Sequence, residues 1–311
     1  MMNARENFLA SVYFQSPCYV PLGNEAVYHS FQFLGNFQMA DWTDHWGVSW
    51  KVGLQGTVPF PKGNPLPNLS LIDCYKAPDP NDLVLTAEMK DALKLVDRGE
   101  KLIMGELVYL LFERAWAIMG MENFLMAFVT HPTEMHQFLH TIAQYARAVF
   151  DRYLELGVDA IGFSEDLGSQ RALMISPATF REFILPEYVY CFENVRRAGK
   201  IIHFHSCGSI DTIASDLADI GVTILNPIQA RANRLNLIKR STIGRMALHG
   251  GIDTAILAQE TPDKVRMEVI RVFDVLKADG GYICAPDQDI PGIRWENLDM
   301  LWRTAREIGR Y

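Results

Sequence analysis

From about residue 86 onward, short apolar runs alternate with longer amphipathic ones. Six runs have the length and apolar density of strands: "KLIMGE" (101–106), "AIGFSED" (160–166), "IIHFHSC" (201–207), "TILNPIQ" (223–229), "MALHGGID" (246–253) and "GYICAPDQ" (281–288). "CYVPLG" (18–23) is a further strand candidate. Helical punctuation separates them. Ser176 and Thr261 stand where N-caps belong, each followed by proline at the first helical position. In the segment that starts at Thr261 and stops at Gly280, Val265, Val269, Phe273 and Leu276 form one apolar stripe. Residues 1–85 lack this regularity. They hold "DWTDHWGVSWKVG" and the proline-dense "PFPKGNPLP" and "KAPDPND", and read as a lid or surface excursion.

Strand–helix alternation repeated this often predicts parallel strands joined by right-handed crossovers. No Gly-x-Gly-x-x-Gly follows any of the strands, so a doubly wound dinucleotide fold is disfavoured. Nearly every strand ends in polar residues: Glu106, Glu165 and Asp166, His205 and Cys207, Asn226 and Gln229, Asp253, Asp287 and Gln288. Barrel enzymes carry their chemistry at these C-terminal strand ends. The expected fold is therefore an α/β (β/α)8 TIM barrel with an irregular N-terminal excursion. Residues 1–311 are expected to form a single barrel domain, lid-like over 1–85 and regular over 86–311.

Composition changes this picture little. The chain is 49% hydrophobic and 21% charged, with a net charge of −8, which disfavours nucleic acid as a partner. The most apolar stretch, "LIMGELVYLLFERAWAIMG", is broken by Glu106, Glu113 and Arg114, so no membrane span is expected. The N-terminus shows no signal-peptide pattern. Five scattered cysteines (18, 74, 191, 207, 284) suit a reducing compartment, and a cytoplasmic location is expected.

The candidate chemistry centres on "HFHSC". Alternation places His203, His205 and Cys207 on one strand face, with His203 one pleat deeper. His205 and Cys207 suit zinc, and Glu165 or Asp166, from the preceding strand, is a third ligand or a proton carrier. A hydrogen-bonded histidine beside a buried cysteine is the plainer alternative. A cysteine nucleophile with a histidine base is another, but parallel exit from one strand separates the two by about 7 Å, which favours a shared ligand. Cys284 lies four residues, roughly 13 Å, before Gln288, so the two cannot serve one metal, and Cys284 is read as core. Glu106, Asn226, Gln229, Asp253, Asp287 and Gln288 are expected to position substrate. Trp42, Trp46 and Trp50 are candidates to cap an aromatic or methylated group, or are ordinary packing.

The segments "GFSEDLGSQRALMISPATFREFILPEY", "HFHSCGSI", "GVTILNPIQ", "LHGGIDT" and "GGYICAPDQDIPGIRWENL", in this order, closely resemble the uroporphyrinogen decarboxylase superfamily, and in particular its cobalamin-dependent (corrinoid) methyltransferase branch. "FERAWAIMGMENFLMAF" and "DHWGVSWK" match the same branch. The resemblance implies a (β/α)8 barrel. It also implies a methyltransferase that moves a methyl group between a small methylated compound, such as an O-methyl ether, and a corrinoid on a partner protein, with zinc as Lewis acid. His205 and Cys207 match the branch's zinc pair. The third ligand position falls on Gln288, a departure that leaves completion to Glu165, substrate or water. Decarboxylation of a tetrapyrrole is an alternative, disfavoured because Arg5 is the only arginine before residue 98. A non-catalytic corrinoid or tetrapyrrole binder is another. The resemblance also implies a homodimer.

Overall fold

The structure is a computed structural model that describes residues 2–32, 40–53, 59–80, 90–91, 93–288 and 292–311. Parts of "KAPDPND" and "DQDIPG" thus lie outside the described residues. Seven parallel strands form one sheet: β1 (Tyr28–Gln32), β5 (Leu102–Leu107), β6 (Ala160–Ser164), β7 (Ile201–His205), β8 (Ile224–Ile228), β9 (Ala247–Ile252) and β10 (Tyr282–Pro286), hydrogen-bonded in that order. Strands β2 (Trp42–Thr43), β3 (Ser49–Lys51) and β4 (Phe60–Gly63) form a separate antiparallel sheet. All six strands expected after residue 86 are present. "CYVPLG" forms no full strand. Leu22 makes one parallel bridge to Cys284 on the free side of β10, where an eighth stave would lie. The first stave comes instead from Tyr28–Gln32, a stretch whose polar pattern, Tyr-His-Ser-Phe-Gln, hides it in the sequence.

The sheet curls around an apolar floor. Tyr28, Leu102, Met104, Ala160, Ile201, Ile224, Ala247 and Ile283, drawn from all seven staves, pack together with Phe8 and Val12. These last two come from the helix Ala4–Val12, which plugs the end of the barrel away from the polar strand ends. Asn3 and Glu6 cap that helix reciprocally. Burying a phenylalanine and a valine in this floor contributes about 2 kcal/mol each. On the outer faces, crossover helices such as Pro132–Glu155 and Leu185–Arg197 cover strands that are buried on both sides. Ser176 caps its helix, accepting from the amide of Thr179. Thr261 takes the N-cap position ahead of Pro262, but its side chain makes no capping hydrogen bond. Val265, Val269, Phe273 and Leu276 are all buried. Gly105 is required by a close approach, since a Cβ there would lie 2.4 Å from the ring of Tyr153. That tyrosine donates its hydroxyl to the carbonyl of Glu106 at 2.6 Å and so fixes the mouth end of β5.

The N-terminal sheet is tied to the barrel through Asp44. Its carboxylate accepts the amides of Trp46 and Val48, the indole N–H of Trp50 and the guanidinium of Arg114 at 2.7 Å. Arg114 belongs to the helix Phe112–Met119 and lies over the rings of Trp46 and Tyr109. Trp50 stacks between Trp42 and Tyr109. Trp46 and Trp50 are buried, so they serve as packing, and the alternative of a ligand cap has no exposed ring face from either to rest on.

Candidate active site

Register sets the layers of the barrel mouth. Gln32, Glu106, Gly162, His203, Ile224 and Ala247 are aligned in one row across β1, β5, β6, β7, β8 and β9. Two residues further along β6, β7 and β8, Ser164, His205 and Asn226 form the next row. Within these rows lies a cavity of about 240 Å³, lined by Met104, Glu106, Gly162, Ser164, His203, His205 and Asn226 among others. A larger groove, near Arg171, Asp211 and Arg234, runs along the loops after β6, β7 and β8.

At the edge of the cavity three ligand-type atoms converge. The Sγ of Cys207 is 3.5 Å from Nε2 of His205, and that nitrogen is 3.9 Å from Oδ1 of Asp166. All three ligand atoms fall within 4.8 Å of one another. β7 ends at His205, and the chain then bends so that the backbone amide of Cys207 donates to Asp166 Oδ1 at 2.7 Å. This bend brings the thiol and imidazole much closer than an extended strand allows. The loop holding the bend is dense. Gly208 has φ +83°, and a Cβ there would lie 2.2 Å from the carbonyl oxygen of Gly168. Its amide donates to Oε1 of Gln229.

These residues fit zinc. With Zn–S about 2.3 Å and Zn–N about 2.0–2.1 Å, tetrahedral ligands lie about 3.5 Å apart, the observed Cys207–His205 spacing. The Nδ1–H of His205 donates to Asn226 Oδ1 at 3.0 Å, which leaves the Nε2 lone pair facing the cluster. The side-chain amide of Gln288 lies 3.7 Å from Cys207 Sγ. Without a cation the thiol is held neutral: burial, then the nearby Asp166, pushes it up to about 12. A metal ion reverses that preference.

Glu165 does not join the cluster. Its carboxylate turns outward, is fully buried, and accepts the amides of Leu111, Phe112 and Glu113 and the hydroxyl of Tyr188. These amides open the helix Phe112–Met119, where a carboxylate is electrostatically favoured. Every oxygen of Glu165 is therefore engaged away from the mouth, and the carboxylate that lies with His205 and Cys207 is that of Asp166. Gln229, Asp253 and Asp287 also point their oxygens into loops. Gln229 accepts from Gly208 and Gln170, Asp253 caps the helix Thr254–Gln259 and pairs with Arg231, and Asp287 accepts from Thr254. None of the three lines the cavity. Cys284 is buried in the core.

Two neighbours, Glu113 and Ser164, escaped the sequence reading, while His203 lies one pleat below His205 as expected. Glu113 is buried, accepts from the hydroxyl of Ser164 at 3.1 Å, and is pushed well above the usual carboxylate range by burial and by Asp166. In the sequence it only interrupts an apolar run. His203 forms the cavity floor beside Tyr28 and His249, and burial lowers it to about 3, so it is neutral. Ser164, at the strand end, carried no signal beyond its position.

The family model for uroporphyrinogen decarboxylase (URO-D) matches residues 48–308. Among solved structures, a methyltransferase from Methanosarcina mazei superposes with a TM-score of 0.75 at 16% identity, covering 99% of both chains. A B12-independent methionine synthase from Shewanella sp. W3-18-1, in complex with selenomethionine, matches at TM-score 0.45 and 14% identity, over 71% of this chain and 65% of that one. A putative vitamin-B12 independent methionine synthase from Listeria monocytogenes matches at 0.46 and 13%, over 76% and 71%. No curated protein matches the sequence. At 16% identity the Methanosarcina mazei match establishes the fold alone, a TIM-barrel-like α/β architecture. The family match spans the barrel from the tryptophan-bearing hairpin to the last helix, and the chain belongs to the uroporphyrinogen decarboxylase (URO-D) family.

Proposed function

We propose that this protein is a corrinoid-dependent methyltransferase, moving a methyl group from a small methylated compound to a corrinoid carried by a partner protein. The observation that carries this reading is the Asp166–His205–Cys207 cluster, whose His205 also lines a cavity at the barrel mouth. Similarity of fold to a methyltransferase over 99% of both chains supports it. His205, Cys207 and Asp166 would hold zinc, and the ion would supply Lewis acidity to the heteroatom that releases the methyl group. A fourth coordination position left to water or substrate is the mark of a catalytic zinc, and Gln288 stands beside it. Asn226 orients His205, and the Gln229–Gly208 contact holds the loop that carries Cys207. Of the carboxylates expected at the site, Asp166 is the ligand and Glu165 anchors the neighbouring helix.

A decarboxylase acting on a tetrapyrrole fits less well. The cavity has no lysine or arginine among its described lining residues to meet propionates. The test is spectroscopic. The zinc-loaded protein is mixed with a reduced corrinoid protein and a panel of small methyl donors, and the cobalt absorption is followed. The expected result is donor-dependent methylation of the corrinoid that Cys207→Ser abolishes. No methylation with any donor, or full activity in Cys207→Ser, would contradict the proposal.

A further inference from the structure

The charges at the mouth are unevenly distributed. Arg171, Arg231 and Arg234 sit on the outer loops after β6 and β8, and the latter two are ion-paired to Asp253 and Asp211. Among the described residues that line the cavity, Glu106 is the only acidic one and none is lysine or arginine. Gln32 donates to Glu106 Oε2 at 3.0 Å. No partner for Oε1 is found among the described residues. The histidines below and beside it do not offset the carboxylate, since His203 stacks edge-on between Tyr28 and His249 and His205 is bound to Asn226.

Gly162 stands between Glu106 and His203 in register and adds no side chain of its own; the thioether of Met104 lies over it, 2.8 Å from where a Cβ would stand. Met104, Leu107 and Phe163 supply apolar walls. An apolar cavity of about 150 Å³ holds benzene, and drug-sized ligands need about 300 Å³ or more. At about 240 Å³ this cavity suits a single substituted ring or a molecule of similar bulk. A half-buried carboxylate in such a space gains from a cationic or N–H/O–H partner and repels an anion.

Resting on the methyltransferase reading, we propose that Glu106 selects the charge of the methyl donor: the cavity takes a small methyl-bearing molecule with a cationic or hydrogen-bond-donating group, and rejects carboxylates. Glu106 is thus a specificity-determining residue that shares the cavity with His205 of the ligand cluster.

An isosteric series tests this by equilibrium binding, with no turnover needed: 4-methoxybenzylamine, 4-methylanisole and 4-methoxybenzoate. In the wild-type protein the amine should bind at least tenfold more tightly than the benzoate, with the neutral ether between them. Glu106→Gln should weaken the amine at least tenfold, change the ether by less than threefold and bring the benzoate level with the amine. Glu106→Asp, which keeps the charge, should keep the order. Circular dichroism on both variants checks folding. A benzoate that binds as tightly as the amine, an order unchanged in Glu106→Gln, or no binding of any of the three at millimolar concentration would overturn the assignment. Because the readout is binding, the charge order can hold while methyl transfer fails, and the reverse, so the two proposals fall separately.

Discussion

At the residue scale, two adjacent carboxylates meet opposite fates. Glu165 and Asp166 leave β6 on opposite faces, one toward a helix N-terminus and the other toward His205. The sequence "AIGFSED" does not show which is which. A strand buried on both faces lacks the polar–apolar alternation that fixes parity, and a one-residue shift swaps the faces. In "IIHFHSC" the paired histidines reveal the parity directly, which is why His205 and Cys207 are legible and Asp166 is not. Asp166→Ala should weaken zinc binding by at least about tenfold in a chelator competition, as loss of a ligand or its immediate support does. Glu165→Gln should leave zinc affinity within a few-fold. Its effect belongs to stability. Burial raises the Glu165 carboxyl to about 7, opposed by the donors around it. A folded-state value above the unfolded one means the contribution is fully present below about pH 4.5 and is lost as pH rises through 7. The stability gap between wild type and Glu165→Gln should therefore narrow across that window, by up to about 3 kcal/mol, in denaturant titrations at several pH values. Parallel pH profiles would show that Glu165 does not titrate there.

At the scale of elements, the strands and caps were readable because their signals are local: apolar runs, Ser-Pro and Thr-Pro starts, and an apolar stripe at helical spacing. β1 was not readable. Its residues Tyr28, His29, Ser30, Phe31 and Gln32 resemble a loop, and only pairing with β5 makes them a stave. The position of Trp46 and Trp50 was equally hidden, since their burial depends on Arg114, distant in sequence. That guanidinium and Asp44 form a buried pair, with side chains 7% and 12% exposed. Arg114→Met leaves Asp44 buried without its cation and should destabilise the protein by about 3–5 kcal/mol. Limited proteolysis should then cut first within residues 41–63. The loop after β7 offers a sharper test of positioning. Gly208→Ala must adopt a positive φ and collide with the Gly168 carbonyl, so the Cys207 bend has to move. The variant should lose zinc affinity even where it remains folded by circular dichroism. Normal zinc uptake by a folded Gly208→Ala protein would show that the bend is not needed to assemble the cluster.

At the scale of the whole molecule, the barrel separates stability from chemistry. The helix Ala4–Val12 and the apolar floor close one end, while the ligand cluster and cavity occupy the other. A ligand that binds only the folded state raises stability in proportion to the logarithm of its concentration over Kd, by about 2.7 kcal/mol at a hundredfold excess. Zinc should therefore raise the melting temperature of the wild type and of Cys284→Ser, whose altered residue lies in the core, but not that of Cys207→Ser. The most direct measurement of the central claim is zinc K-edge X-ray absorption on the zinc-loaded protein. The expected result is one zinc per chain, with one sulfur at about 2.3 Å and nitrogen and oxygen neighbours at about 2.0–2.2 Å, the sulfur disappearing in Cys207→Ser. A first coordination sphere without sulfur, or one that keeps its sulfur in Cys207→Ser, would contradict it.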